Sequence, residues 1–312
     1  MNHFFVQTKT ERSAGVRLHV VAAGPADGPL VILLHGFPEF WYGWRKQIDD
    51  LAAAGYRVWV PDQRGYNQSE KPAGVADYRV DALVEDVIGL IDAAREPQAF
   101  IVGHDWGGLV AWRLAMTHPE RIRRLVILNV PHPGVMARFI ATSPRQALRS
   151  WYIFFFQVPR LPEWVLRLGN WRAMSRAMHR SSRPGTFSDE DMRYYREAWT
   201  QSDRYGMTAF RAMINWYRAA FGQTRRSPTA GQQSTANQPG AARPNAARRI
   251  TVPTLLLWGA RDQFLHRDMA QASIERCDHG RLVYLEEATH WVQHEEPARV
   301  NDLLKTFLRD ES

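Results

Sequence analysis

Short apolar runs alternate along the chain with longer segments in which apolar residues recur at helical spacing. The short runs are typical of buried strands, and the amphipathic segments between them predict covering helices. Strands are expected at 16–23, 30–34, 56–60, 99–102, 125–130, 254–258 and 281–285. Helices are expected at 44–54, 79–95, 109–116 and 297–308. Strands that alternate with helices predict an α/β fold with a mostly parallel sheet flanked by helices.

The alternation is interrupted in the middle of the chain. Residues 131–221 are rich in Trp, Arg and Met and look helical, so we expect a helical cap inserted between two strands. The tract 222–249 is rich in Gly, Ser, Thr, Gln, Ala and Pro, and it predicts a flexible insert or linker. A regulatory or partner-binding arm is the alternative for this tract. Residues 1–130 and 250–312 then form the two parts of one core domain.

Composition and charge narrow the class of protein. The 312 residues are 45% hydrophobic and carry a net charge of +8, and residues 131–221 alone account for +8 through their arginines. A nucleic-acid surface is one interpretation, but no nucleic-acid-binding motif accompanies it, so we expect no nucleic-acid partner. Cys277 is the single cysteine, which excludes an internal disulfide and fits a cytoplasmic location. We expect neither a signal peptide nor a membrane span, because no apolar run is long enough.

The most informative stretch is Gly103-His104-Asp105-Trp106-Gly107-Gly108, which joins an expected strand to an expected helix. Small residues on both sides let strand and helix approach closely, force Asp105 into a strained conformation and push its side chain out above the sheet. The best-known version of this nucleophile elbow carries Ser. A carboxylate is already ionised at neutral pH and suits displacement at a saturated carbon. An Asp that only caps the helix is the alternative.

Two more residues complete a set of nucleophile, acid and histidine in the chain order expected for this architecture. Asp262 follows the strand at 254–258, and His290 follows the strand at 281–285. The alternative for Asp262, considered alone, is a turn residue. The alternative for His290 is a helix-capping or surface histidine. Because the carboxyl ends of parallel strands share one edge of a sheet, Asp105, Asp262 and His290 are predicted to meet there.

The segment His35-Gly36-Phe37-Pro38 follows the strand at 30–34 and supplies the other half of the predicted site. Gly36 lets the backbone turn, so the amide of Phe37 can point at a developing oxyanion. The amide of Trp106, at the start of a helix, is the expected second donor of this oxyanion hole. Glu39 is a candidate for positioning water. His104 and His294 are predicted to point elsewhere.

These motifs resemble those of the epoxide hydrolase family within the α/β-hydrolase superfamily. Thr289-His290-Trp291 and Arg261-Asp262 belong to the resemblance, and Arg64 to Ser69 differs from the family's R-G-Y-G-x-S turn only in having Asn67 where Gly is usual. The resemblance implies an α/β-hydrolase fold with a helical cap. It also implies a small apolar epoxide and water as substrates, with no cofactor and no metal. A homodimer is a further expectation.

The resemblance further implies two cap tyrosines whose hydroxyls hold and protonate the epoxide oxygen. Tyr152 stands in an aromatic run before Gln157-Val158-Pro159, and Tyr217 stands in Asn215-Trp216-Tyr217-Arg218. A phenol with a pKa near 10 stays protonated at neutral pH and can donate. A core aromatic is the alternative for Tyr152. The expected substrate-binding residues are His35, Pro38, Trp151, Phe154 and Trp216.

Two rival functions share parts of this pattern. A haloalkane dehalogenase uses the same Asp and His, and Trp106 suits both classes because an indole N–H can hold a halide. Such enzymes often carry Asn at the position of Phe37, and a halide needs no acid to leave. A non-catalytic, hydrolase-derived ligand receptor is the rival of another class, and the intact catalytic set argues against it. The sequence therefore predicts a detoxifying hydrolase that converts an epoxide to a vicinal diol through an ester on Asp105, cleared by water that His290 activates.

Overall fold

A computed structural model describes residues 1–10, 15–204, 206–224 and 249–309. The strands are β1 (Asn2–Gln7), β2 (Arg17–Ala23), β3 (Leu30–Leu34), β4 (Arg57–Pro61), β5 (Ala99–His104), β6 (Ile122–Leu128), β7 (Thr254–Gly259) and β8 (Gly280–Leu285). They form one eight-stranded sheet in the order β1-β2-β4-β3-β5-β6-β7-β8. The pairs β1–β2 and β2–β4 are antiparallel, and the other pairs are parallel. The predicted mostly parallel α/β sheet is confirmed.

Helices cover both faces of the sheet. Those of the core are α1 (Arg45–Ala53), α2 (Val80–Ala93), α3 (Trp106–Thr117), α10 (Asp268–Ile274), α11 (Val292–Glu295) and α12 (Pro297–Arg309). Alternate residues of β3 face opposite sides, so Val31 and Leu33 pack in a different apolar cluster from Ile32 and Leu34. One cluster lies against α2 and α3, and the other lies against α1 and α12.

The strand β1 is absent from the sequence-based prediction. It pairs only with β2, so it lies at the edge of the sheet, and Val6 is its only buried residue. A short edge strand with so little buried surface lacks the apolar run by which the buried strands can be recognised. The other strands lie within a few residues of their predicted positions, and so do α1, α2, α3 and α12. The short helices α10 and α11 are absent from the sequence-based prediction.

Between β6 and β7 the described chain folds into helices that we call the cap helices. They are α4 (Pro133–Thr142), α5 (Pro144–Arg149), α6 (Trp151–Phe155), α7 (Leu161–Ser181), α8 (Asp189–Thr200) and α9 (Ala209–Thr224). The helix α9 continues to Thr224, so the predicted insert at 222–249 begins inside a helix. Residues 225–248 of that insert lie outside the described residues. None of the described helices is both long and apolar enough to span a bilayer.

The cap helices lie over the edge of the sheet where the parallel strands end. The indole of Trp199 in α8 donates a hydrogen bond to the carbonyl of Pro38, which follows β3, at 2.7 Å. The indole of Trp216 in α9 donates to the carbonyl of Arg64, which follows β4, at 3.0 Å. Both bonds are buried, so the cap helices are held directly above the strand ends.

Candidate active site

Asp105 is the single residue between the end of β5 and the start of α3. Its backbone has φ 49° and ψ −119°, a combination that L-residues rarely adopt. The turn is tight because Gly107 packs on the preceding segment: a Cβ at position 107 would lie 2.2 Å from the carbonyl oxygen of Leu34. This strained turn is the predicted elbow, and the Asp105 side chain remains 20% exposed.

The loop after β3 reaches Asp105 from the other side. The amide of Phe37 donates a hydrogen bond to Oδ1 of Asp105 at 2.8 Å. A Cβ at Gly36 would lie 2.4 Å from the Cβ of Asp105, so the loop comes this close only because residue 36 is glycine. The peptide bond between Phe37 and Pro38 is cis. The place of the Trp106 amide in the oxyanion hole stays a prediction.

His290 and Asp262 lie at the ends of β8 and β7 and meet Asp105 as predicted. Nδ1 of His290 lies 2.7 Å from Oδ2 of Asp262, and Nε2 lies 3.6 Å from Oδ2 of Asp105. The second oxygen of Asp262 accepts the backbone amides of Phe264 and Leu265 at 2.7 and 3.0 Å. The Asp262 carboxylate is therefore fixed by its own loop, and it in turn orients the imidazole.

Asn129, just past β6, is a site residue to which the sequence assigned no role. Its side-chain NH₂ group donates to Oδ2 of Asp262 at 2.8 Å, and its side-chain oxygen, Oδ1, accepts a hydrogen bond from the backbone amide of Gly259 at 2.8 Å. Asn129 is fully buried and has φ 44°. Its position at a strand end was the available signal, because Asp105, Asp262 and His290 of the site also follow strands.

The three ionisable groups shift one another's protonation. Burial alone would lower the pKa of His290, but the Asp262 and Asp105 carboxylates raise it to about 10. Burial alone would raise the pKa of Asp105, but the hydrogen bond and charge of His290 lower it below its usual value. The free site therefore holds an ionised Asp105 beside an imidazolium at neutral pH. Among the described residues, His, Cys, Asp and Glu side chains form no group suited to hold a metal.

Tyr152 of α6 and Tyr217 of α9 lie together in the cap, with ring centroids 6.0 Å apart. The Tyr217 ring lies 4.9 Å from the Trp106 ring and 5.3 Å from the Phe37 ring, both edge-on. Trp106 directly follows Asp105, and Phe37 donates to it, so Tyr217 lies over the nucleophile. Burial and then the Asp105 charge raise the pKa of each phenol above its usual value, so both hydroxyls stay protonated.

Two aromatic residues that the sequence left without a role complete the surroundings. Phe264 lies 5.2 Å from the His290 ring and 6.0 Å from the Tyr152 ring, so it joins base and cap. Phe156 lies 4.8 Å from the Tyr217 ring and 5.5 Å from the Phe37 ring. Phe156 is one helical turn beyond Tyr152, and this spacing was a signal that both face the same side.

The structure does not bring Trp151 and Phe154 into the site, although both are predicted to bind substrate. Their side chains are 62% and 53% exposed, and their ring partners are Phe155 and Phe221. Successive residues of a helix point about 100° apart, so one face of α6 turns Tyr152 to the site while the others turn Trp151 and Phe154 outward. An aromatic run alone does not reveal which members face inward.

The remaining predicted substrate-binding residues lie behind the site in this structure. Nε2 of the fully buried His35 accepts the amide of Gln63 at 3.0 Å. Trp216 is also fully buried and packs edge-on against the Trp106 ring at 5.6 Å. Pro38 is buried beneath Trp199, whose indole donates a hydrogen bond to the Pro38 carbonyl. All three support the loop, the nucleophile turn or the cap, and substrate contact stays a prediction for them.

Glu39 does not face the nucleophile, so its proposed role in positioning water is wrong. Its oxygens are buried and bonded to the hydroxyl of Tyr195 at 2.8 Å and to Nε2 of His294 at 2.6 Å. Burial would raise the pKa of Glu39, but His294 and His104 lower it well below its usual value. His104 points to this cluster and also contacts the carbonyl of His290 at 2.9 Å, so neither extra histidine faces Asp105.

Comparisons with known proteins agree with this geometry. The family model described as alpha/beta hydrolase fold matches residues 29–297. The chain is 45% identical over 297 residues to AB hydrolase superfamily protein YfhM of Bacillus subtilis (strain 168), covering 95% of this chain and 96% of that protein. It is 35% identical over 316 residues to Epoxide hydrolase 4 of Mus musculus, covering 99% of this chain and 80% of that protein.

Solved structures give the same result. The crystal structure of Bacillus megaterium epoxide hydrolase in complex with an inhibitor matches with a TM-score of 0.79 at 27% identity, covering 99% of this chain and 100% of that one. A structure titled as novel epoxide hydrolases from metagenomes of hot environments matches with a TM-score of 0.81 at 31% identity, covering 100% and 99%. The chain is therefore a hydrolase of the α/β-hydrolase superfamily. Within that superfamily it belongs to the epoxide hydrolase family.

Proposed function

We propose that the protein opens a small apolar epoxide to a vicinal diol through a covalent ester on Asp105. The observation that carries this proposal is the pair of protonated phenols, Tyr152 and Tyr217, above a carboxylate that already faces a histidine base. When an epoxide ring opens, its oxygen leaves as an alkoxide and needs an acid to protonate it. A halide, the leaving group of the rival reaction, needs no acid. Relatives named epoxide hydrolase support the same reaction.

In the first step, Oδ2 of Asp105 attacks an epoxide carbon and forms a new C–O bond while the ring C–O bond breaks. The electron pair of the broken bond goes to the ring oxygen, which takes a proton from Tyr152 or Tyr217. The carboxylate oxygen that attacks is the one nearer His290, since Oδ1 is already bonded to the Phe37 amide. The product of this step is an alkyl ester on the enzyme.

In the second step, His290 takes a proton from water, and the water oxygen attacks the ester carbon of Asp105. The negative charge then develops on Oδ1, where the Phe37 amide already donates and the Trp106 amide is expected to join it. Collapse of this intermediate expels the diol oxygen, which takes the proton back from His290. The proton left on the added water oxygen then passes from the new carboxylic acid to His290, which restores the Asp105 carboxylate and the imidazolium of the free site. The diol leaves.

Ester formation also prepares the base. The free site holds an imidazolium because both carboxylates raise the pKa of His290 to about 10. Once Asp105 is esterified its charge is gone, so the pKa of His290 falls and a neutral imidazole becomes available. The phenol has lost one proton to the alkoxide, and the proton that the imidazolium releases restores this phenol, so the proton balance closes.

The rival reaction is release of halide from an alkyl halide by the same Asp105 and His290. The experiment that separates the two incubates the purified protein in parallel with styrene oxide and with 1-bromobutane and measures diol and bromide. The proposal predicts diol with at most traces of bromide, and bromide without diol would overturn it. Asp105→Asn is the control and should form neither product. If the protein were a non-catalytic, hydrolase-derived receptor, the wild type would also form neither product.

The cytoplasmic location, the role in detoxification and the homodimer stay predictions from the sequence. The buried single cysteine, Cys277, is what supports a reducing compartment. An apolar substrate is supported by the aromatic rings that surround the nucleophile. The division of the chain into core, cap and insert is likewise proposed, with the cap helices as the cap.

A further inference from the structure

Large apolar side chains are exposed together on the outer surface of the cap. Eleven large hydrophobic residues are exposed in the described chain, and seven of them fall within residues 148–168. The seven, which we call the outer cap patch, are Leu148, Trp151, Phe154, Val158, Leu161, Trp164 and Leu168. Leu148 and Trp164 are 75% and 63% exposed. Clusters of this kind on a folded protein indicate an interaction surface.

The outer cap patch follows the helical geometry of α5, α6 and α7. Trp151 and Phe154 are three residues apart on α6, so they share one face, and Leu161 and Trp164 share a face of α7 in the same way. Leu148 lies near the end of α5, directly before α6. Arg218 holds the two parts together. Its guanidinium donates to the carbonyls of residues 156 and 158 at 3.0 Å each and pairs with Glu163 at 2.7 Å. The patch therefore lies on a fixed scaffold.

The segment that carries the outer cap patch has a net positive charge. Residues 144–180 contain seven arginines and one acidic residue, a net charge of +6. The single acid, Glu163, is already paired with Arg218. Six exposed arginines of this segment form no salt bridge to any described residue: Arg145, Arg160, Arg167, Arg172, Arg176 and Arg180. Exposed tryptophan, phenylalanine and leucine beside unpaired arginines are the pattern of a surface that rests on anionic lipid.

We propose that the outer cap patch docks the protein on an anionic lipid surface without spanning it. The apolar side chains would enter the boundary between headgroups and acyl chains, and the arginines would contact lipid phosphates. Charge complementarity favours this occupant over a second copy of the chain. A two-fold symmetric contact at the patch would bring the unpaired arginines of both copies together, and like charges oppose such a contact.

Docking would also place the active site next to a reservoir of apolar molecules. Trp151 and Phe154 lie on the outer side of α6, while Tyr152 of the same helix faces the site. The lid over the nucleophile would therefore lie against the lipid surface in which apolar epoxides accumulate. This consequence rests on the proposed function, whereas the docking itself does not.

Cosedimentation of the full chain with lipid vesicles tests the docking. The vesicles are phosphatidylcholine alone or phosphatidylcholine mixed with phosphatidylglycerol, each at low and high salt. We expect the wild type to bind the mixed vesicles and to lose binding as salt rises. Leu148→Ser/Trp164→Ser and Arg160→Glu/Arg167→Glu should each weaken binding at least about tenfold, since each removes two of the proposed contacts.

Val75→Ser and Arg299→Glu are the matched controls, because both residues are exposed but lie on the core. They should bind like the wild type, and thermal melting of each variant shows that it is folded. Equal binding to both kinds of vesicle, or cap variants that bind like the wild type, would overturn the proposal. So would a lipid-free dimer, seen by light scattering, that Leu148→Ser/Trp164→Ser dissociates. Diol formation from a water-soluble epoxide without lipid should be unchanged in that variant, which separates docking from the proposed function.

Discussion

Nε2 of His290 lies 3.6 Å from Oδ2 of Asp105, so the base faces one oxygen of the nucleophile and not the other. The other oxygen, Oδ1, accepts the Phe37 amide at 2.8 Å. One carboxylate thus presents an attacking oxygen toward the base and an oxygen already placed where negative charge will develop. This division follows from the turn after β5 and the loop after β3, which approach Asp105 from opposite sides.

The two chemical steps should depend on pH in different ways. Ester formation needs an ionised Asp105, and because the pKa of this carboxyl is lowered, the first step should persist as pH falls toward 4. Ester hydrolysis needs a neutral His290, so its rate should fall as the pH falls through the pKa that His290 has while Asp105 is esterified. That pKa lies below the value of about 10 in the free site, because the ester removes the Asp105 charge. Single-turnover fluorescence at several pH values measures both rates, and parallel pH profiles would contradict this account.

The phenols should matter for opening the ring and not for hydrolysis of the ester. Tyr217→Phe and Tyr152→Phe each remove a proton donor, so each should slow ester formation by about 10²-fold, the lower end of general acid catalysis. Tyr56→Phe is the control, since Tyr56 precedes β4 at the opposite end of the sheet and should leave the rate unchanged. Rates of ester formation measured with enzyme in excess check this. A double Phe variant as fast as the wild type would exclude the phenols as acids.

Asn129 should contribute to both stability and the second step. Asn129→Ala removes a donor from Asp262 and leaves the buried Gly259 amide unpaired, so unfolding should require about 1–3 kcal/mol less. Because Asp262 orients His290, ester hydrolysis should slow more than ester formation. Urea unfolding and single-turnover rates measure the two effects. Equal slowing of both steps would indicate a general loss of structure instead.

The tight elbow predicts opposite effects for two glycine substitutions. Gly107→Ala would place a Cβ 2.2 Å from the Leu34 carbonyl oxygen, and relief requires backbone movement, so we expect about 3 kcal/mol of destabilisation. Gly222→Ala, in α9, would meet no atom of the described residues within 4 Å and should stabilise by up to about 1 kcal/mol through helix propensity. Thermal or urea unfolding compares the two variants. A neutral Gly107→Ala would show that the elbow is looser than described.

The sequence predicted what periodicity and turn chemistry control. Buried strands appear as continuous apolar runs, and a parallel sheet brings their ends to one edge, so the sequence alone places Asp105, Asp262 and His290 together. The elbow followed from the small residues around Asp105. These features depend on local residue types and on the order of elements.

What depends on side-chain direction and long-range partners was missed. The aromatic run at 151–156 does not reveal that Tyr152 and Phe156 face inward while Trp151 and Phe154 face outward, because that depends on how α6 packs. Glu39 stands near the catalytic edge in sequence, yet its partners come from α8 and from the segment after β8. No local pattern reports a bond between residues more than 150 positions apart.

The most direct test of the covalent ester is a single turnover in ¹⁸O-labelled water with the enzyme in excess over epoxide. In the proposed mechanism the oxygen added to the epoxide comes from Oδ2 of Asp105, and water then replaces an oxygen of that carboxylate. Mass spectrometry should therefore find ¹⁸O in the peptide that contains Asp105 and an unlabelled diol. A labelled diol with an unlabelled Asp105 peptide would mean that water attacks the epoxide directly, and the central claim would fail.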